Sequence, residues 1–177
     1  MLAFIIKKII DDKLLRNKSC HLGITDFINY KKVCMFISTY SCDWKCCTES
    51  NLPIETCQNC ELALSETIDI PYESVFNRYI SNPISKSIVI AGLEPMLQKD
   101  EVYELIKYFR QHNCNDDIVI YTGYYEEEIK EFINKLKDEF KNIYIKFGRF
   151  IPNQQPHYDK VLGVKLASDN QKGVKIC

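Results

Sequence analysis

From Val33 onward the chain alternates between two hydrophobic periods. VCMFIS (33–38), SIVIAG (87–92), IVIYTG (118–123) and NIYIKFG (142–148) are short apolar runs rich in β-branched residues, each closing on Gly or a polar turn. Runs of that length and composition predict strands buried on both faces. Between them the spacing becomes helical. In KDEVYELIKYFRQHN, Val102, Leu105, Ile106 and Phe109 fall at i, i+3, i+4 and i+7, with Asp100 and Glu101 in a first turn where the helix dipole favours acid. YEEEIKEFINKLKDEF repeats the stripe at Ile129, Phe132, Ile133 and Leu136. PYESVFNRYIS (71–81) opens on a proline suited to a first helical turn and aligns Val75, Phe76 and Tyr79. The acidic run Glu126 to Glu128 reads as a solvated first turn.

This alternation predicts an α/β fold with a mostly parallel sheet and right-handed crossovers. Such sheets gather their chemistry at the carboxyl ends of the strands. A cysteine-rich stretch follows the first strand, GLEP (92–95) follows the second and TGY (122–124) the third, so all three are expected to meet at one edge. In the first thirty residues, FIIKKIIDDKLL fits either a helix or an added strand. The tail after Gly148, with Pro152, Pro156, Gly163 and Gly173, reads as a long loop.

Composition narrows the function classes. With 177 residues, 46% hydrophobic and 27% charged, the chain is expected to form one domain, 1–177, preceded by a poorly defined extension over 1–25. Lys plus Arg (23) nearly balances Asp plus Glu (24), which argues against a basic nucleic-acid surface. No apolar run reaches membrane-spanning length. Lys7 and Lys8 interrupt the apolar opening and no small-residue cleavage site follows, so no secretory signal is expected. A cytoplasmic location follows, where thiols stay reduced.

Nine cysteines is an odd number, and five of them crowd into CDWKCCTESNLPIETCQNC (42–60). The scattered four (Cys20, Cys34, Cys114, Cys177) suit small buried hydrophobes. Cys42, Cys46, Cys57 and Cys60 offer four thiolates for a tetrahedral zinc site, although C-x3-C fits a zinc knuckle less well than the CQNC pair. The same thiolates suit an iron-sulfur cluster that leaves one iron open to a substrate. On spacing alone zinc, iron-sulfur and no metal all remain open.

The set of motifs goes further. C-x3-C after the first strand and G-x-E-P after the second resemble the radical S-adenosylmethionine (SAM) superfamily. With IVIYTGY (118–124), FGRF (147–150) and LASDNQ (166–171), the order is similar to that of the activating proteins of anaerobic ribonucleotide reductase, over about Phe27 to Gln171. The resemblance implies a partial, open (βα) barrel and a [4Fe-4S] cluster held by three cysteines in C-x3-C-x2-C. The fourth iron of that family chelates SAM, and reductive cleavage yields a 5′-deoxyadenosyl radical that takes a hydrogen atom from a glycine of the partner. It therefore implies a glycyl-radical enzyme as partner, anaerobic ribonucleotide reductase for example, and a flavodoxin-type electron donor.

Carried over residue by residue, Cys42 and Cys46 match the first two ligands. The third place falls on Glu49. The family's Cys-x-Asn is met only by Cys57-Gln58-Asn59, so Cys57 is the expected third ligand across an enlarged gap, with Cys60 and Cys47 as runners-up. Gly92, Glu94 and Pro95 match the motif that binds the SAM amino group, with Leu93 in place of a second Gly. A carboxylate there suits an ammonium. Thr122 and Gly123 match the family's TGY, near the ribose or carboxylate of SAM; as plain sequence they read equally well as a turn and helix cap. Trp44 suits either a cover for the cluster or a wedge in the loop. The chain departs from the family at Phe147, where Asp usually precedes Gly148, and at DFINYKK (26–32), which replaces an N-G-x-G stretch. His21, His112 and His157 are isolated. The rival readings are a four-cysteine zinc module and an iron-sulfur module on the same scaffold without catalysis.

Overall fold

The computed structural model describes residues 3–7 and 24–177; His21 and Cys20 lie outside them. An eight-stranded mixed sheet forms the centre. The predicted strands appear as β3 (Cys34–Thr39), β5 (Ser87–Gly92), β6 (Asp117–Tyr121) and β7 (Ile143–Phe147), all parallel to one another. Antiparallel strands extend both sides. β10 (Lys172–Lys175) pairs with β7, while β1 (Ala3–Lys7) runs between β3 and β4 (Thr67–Pro71), and β2 (Ile24–Asp26) borders β3. The path runs β10-β7-β6-β5-β3-β1-β4, so the parallel sheet does not close into a complete barrel.

Alternation along each strand sends side chains to two different layers. Ile37, Ile88, Ile90, Ile118, Ile120, Ile143, Ile145 and Phe147 join one core. The buried faces of α3 (Tyr72–Ile80), α4 (Lys99–Gln111) and α5 (Lys130–Glu139) close it, as their stripes required. The other parity, Cys34, Val89, Ala91, Val119 and Tyr144, faces a smaller cluster completed by Tyr30, Leu162 and Leu166. Lys146 shares that parity. It is 8% exposed, and its ammonium donates to the Gly148 carbonyl at 2.7 Å.

The tail departs from the expected loop. Residues 157–159 (β8) and 164–166 (β9) form a hairpin, and β10 joins the main sheet. These strands are three or four residues long, too short for periodicity to show. The ambiguous opening resolves as strand over Ala3–Lys7, and β4 was also missed because TIDIP carries a charge and ends in proline. Among the described residues no helix is long and apolar enough to cross a membrane.

Burial pushes the Lys146 amine down to about 8, against the nearby charges of Glu94 and Cys46. Folding thus carries a penalty that is complete below that value and vanishes above the unfolded lysine value. Lys146→Met should raise stability at pH 7 by about 1–3 kcal/mol, since Gln171 Nε2 still donates to the Gly148 carbonyl at 3.3 Å. Thermal melts should show the gain shrinking from pH 8 upward. An equal gain at every pH would contradict this.

Candidate active site

The three motif-bearing stretches converge at the carboxyl ends of β3, β5 and β6. Glu94, directly after β5, is the junction. Its backbone N–H donates to the Ser41 carbonyl at 2.8 Å, which joins it to the cysteine loop. Its carboxylate is buried and accepts three hydrogen bonds: Oε1 from Met96 N (2.9 Å) and Thr122 Oγ1 (2.6 Å), Oε2 from Gly123 N (2.8 Å). Burial raises its pKa and these donors oppose the rise. A carboxylate offers about four acceptor positions, so one remains for a further donor. Thr122 and Gly123, which sequence reasoning placed beside a ligand, both donate to Glu94.

Gly92 has a separate, steric requirement. Its φ is +86°, and a Cβ there would stand 2.3 Å from Ser38 Oγ and 3.1 Å from Leu62 Cδ2. The Asn59 amide donates to its carbonyl at 2.7 Å, tying the segment after Cys57 to the end of β5. Glycine is required here by sterics alone. Gly92→Ala should cost about 2–4 kcal/mol in chemical denaturation, and a loss below about 0.5 kcal/mol would show that the loop yields.

The cysteine stretch, taken in sequence as one loop, contains two single-turn helices, α1 (Lys45–Glu49) and α2 (Cys60–Leu64), around a 3-10 turn at Ile54–Thr56. Trp44 turns the chain in the left-handed region (φ 58°), and its N–H donates to Cys42 Sγ at 3.4 Å. A bulky residue in that region stores strain. Burial pushes the Cys42 thiol up to about 11 and the Cys46 thiol up to about 12. Beyond burial, the adjacent Cys47 adds most to the rise at Cys46, while at Cys42 the Trp44 N–H opposes the rise and Glu94 and Asp43 add to it. Cys47 is buried, with its sulfur 3.8 Å from that of Cys46. Cys60 directs its thiol to the Glu55 carbonyl at 3.9 Å. Among the described residues no group of three or more His, Cys, Asp or Glu side chains is arranged to hold a metal ion.

A network missed in the sequence fastens this loop to the rest. Tyr124 Oη donates to Asp43 Oδ2 at 2.7 Å, and Lys45 Nζ lies 3.9 Å from the centre of the Tyr124 ring. Arg149, from the FGRF stretch, is almost fully buried. It holds Glu128 through two 2.7 Å bonds. The acidic run is therefore only partly a solvated turn. No signal short of tertiary structure pairs 128 with 149. His112 and His157 lie outside the site, His112 capping α4 through the Tyr108 carbonyl.

The Arg149 guanidinium holds the Glu128 carboxyl down at about 2, helped by the Tyr125 N–H. The pair stabilises fully above the ordinary carboxylate value of about 4.3 and is lost as pH falls towards 2. Acid titration should show Glu128→Gln losing less stability than wild type across that window; parallel curves would refute it.

The sequence pattern of the 4Fe-4S single cluster domain family matches residues 31–171. A provisionally named glycyl-radical enzyme activating enzyme of Methanocaldococcus jannaschii is 35% identical over 120 residues, covering 66% of this chain and 46% of that protein. The chain thus spans less than half the length of that relative. No solved structure matches significantly.

Proposed function

The chain belongs to the 4Fe-4S single cluster domain family, an iron-sulfur homologue of radical SAM-like activating enzymes, and from that premise we propose that it generates a glycyl radical on a partner enzyme. The proposal treats the whole chain as one domain, an open partial barrel acting in the cytoplasm. An open barrel of this size leaves little room for an enclosed substrate, which favours a macromolecule docked over the strand ends. An anaerobic ribonucleotide reductase fits that role, with a flavodoxin-type protein as reductant.

Cys42, Cys46 and Cys57 would hold the [4Fe-4S] cluster. The carrying observation is that the cysteine loop is fastened at both ends beside Glu94, by the Glu94 N–H on the Ser41 carbonyl and by the Asn59 amide on the Gly92 carbonyl. The donor set is soft and all-sulfur, which fits a cluster. When bound, the cluster supplies the single electron that cleaves SAM. The raised thiols must shed their protons for ligation, and the Trp44 N–H favours the thiolate at Cys42. The open acceptor position of Glu94 suits the ammonium of SAM, with Thr122 and Gly123 keeping that carboxylate in place and Gly92 letting the chain turn into it.

Anaerobic purification with iron, sulfide and electron-paramagnetic analysis tests the site. A brown protein with four irons per chain is expected, losing its cluster in Cys42→Ala, Cys46→Ala and Cys57→Ala. A colourless protein with one zinc and no labile sulfide would refute the proposal in favour of the zinc module. A full cluster in Cys57→Ala with loss in Cys60→Ala would move the third ligand. Reductive SAM cleavage, with and without a glycyl-radical enzyme, separates a catalyst from a non-catalytic iron-sulfur module.

A further inference from the structure

Glu49 occupies the position that C-x3-C-x2-C spacing would give to a third cysteine, and its carboxylate is engaged elsewhere. Oε2 lies 2.8 Å from Arg149 Nε. Arg149 is itself immobilised. Its side chain is 4% exposed, its fork is held at both ends by Glu128, and its guanidinium lies 4.8 Å from the centre of the Tyr125 ring. Glu128 also accepts the Tyr125 N–H at 2.8 Å. The other end of the same short helix meets the same pair, with Lys45 Nζ 3.5 Å from Glu128 Oε1. α1 is therefore tied at its first residue and its last, with Cys46 between them.

We propose that Glu49, Arg149 and Glu128 form a clamp that holds α1, and with it Cys46, against the segment after β7. Glu49 is then a positioning residue of the cysteine loop and not a metal ligand. Glu49 and Arg149 line, together with Cys46, Tyr125, Ile151 and Pro152, a solvent-open cleft of about 380 Å³, so release of the clamp widens the approach to a half-buried Cys46 thiol. Two features keep this separable from folding. Glu128 continues to neutralise the buried guanidinium when Glu49 is removed, so no buried charge is left without a partner. Glu49 is half exposed (52%), and its N–H···O approach to Nε is off-line, since Nε has no hydrogen-bond partner by angle. The contact is thus an ion pair of the modest kind, enough to bias a loop and not to support a fold.

The consequence for a cluster rests on the ligand assignment above; the clamp itself does not. Reduced apo-protein is alkylated anaerobically with iodoacetamide and the rate at each cysteine is read by mass spectrometry. Glu49→Ala and Glu49→Gln should raise the Cys46 rate about fivefold, the ratio for about 1 kcal/mol. Cys114 labelling should be unchanged, the melting temperature should fall by no more than about 2–4 °C, and Glu49→Asp should restore most of the protection. In reconstituted protein the same variants should lose iron faster to a chelator while keeping the wild-type iron content. Unchanged Cys46 labelling in both variants overturns the clamp. So does an iron content that falls as far as in Cys46→Ala with unchanged labelling, which would make Glu49 a ligand. Cys46 labelling that responds to Glu49 in a protein binding no iron would uphold the clamp and refute the cluster assignment.

Discussion

The structure depends on one buried carboxylate. A carboxylate taken out of water is costly unless donors surround it. Glu94 satisfies that demand by recruiting Thr122, Gly123 and Met96, while its own backbone reaches Ser41. These partners sit on three connections: Ser41 after β3, Met96 after β5, and Thr122 with Gly123 after β6. The parallel register of β3, β5 and β6 brings those connections close, and Glu94 converts closeness into contact. A loop holding five cysteines is thereby anchored at its first turn, and Asn59 anchors it again at the far end through Gly92.

A second polar centre completes the rim. Arg149 is buried, and a guanidinium in that position requires fixed acceptors; Glu128 supplies two and Glu49 an ion pair. Tyr124, Asp43 and Lys45 bridge this centre to the Glu94 side. Polar groups thus close the site at the strand ends, whereas the two faces of the sheet are covered by apolar clusters. The two faces follow from alternation in the strands, which sends every second residue to the helices and the others to the opposite side.

Much of this was legible beforehand, for a physical reason. Strands buried on both faces and amphipathic helices announce themselves because solvent partition acts on every residue of a long element. β3, β5, β6, β7, α4 and α5 are such elements, and their order predicts the strand ends that meet. The short strands β8, β9 and β10 and the single-turn helices α1 and α2 lack that signal. Their shape comes from what they pack against, β7 for β10 and the end of β5 for the chain before α2.

The candidate residues divide in the same way. Sequence by itself determined the alternation of elements, the edge at which chemistry would gather, and the presence there of Cys42, Cys46, Glu94, Thr122 and Gly123, because residue types and short spacings carry that information. Tertiary structure alone decided that Thr122 and Gly123 serve Glu94, that Asn59 ties the chain after Cys57 to Gly92, and that Glu49 meets Arg149. Those relations join residues tens of positions apart through one hydrogen bond or charge each. No periodicity records such a pairing, since only the folded sheet sets the distance between its ends.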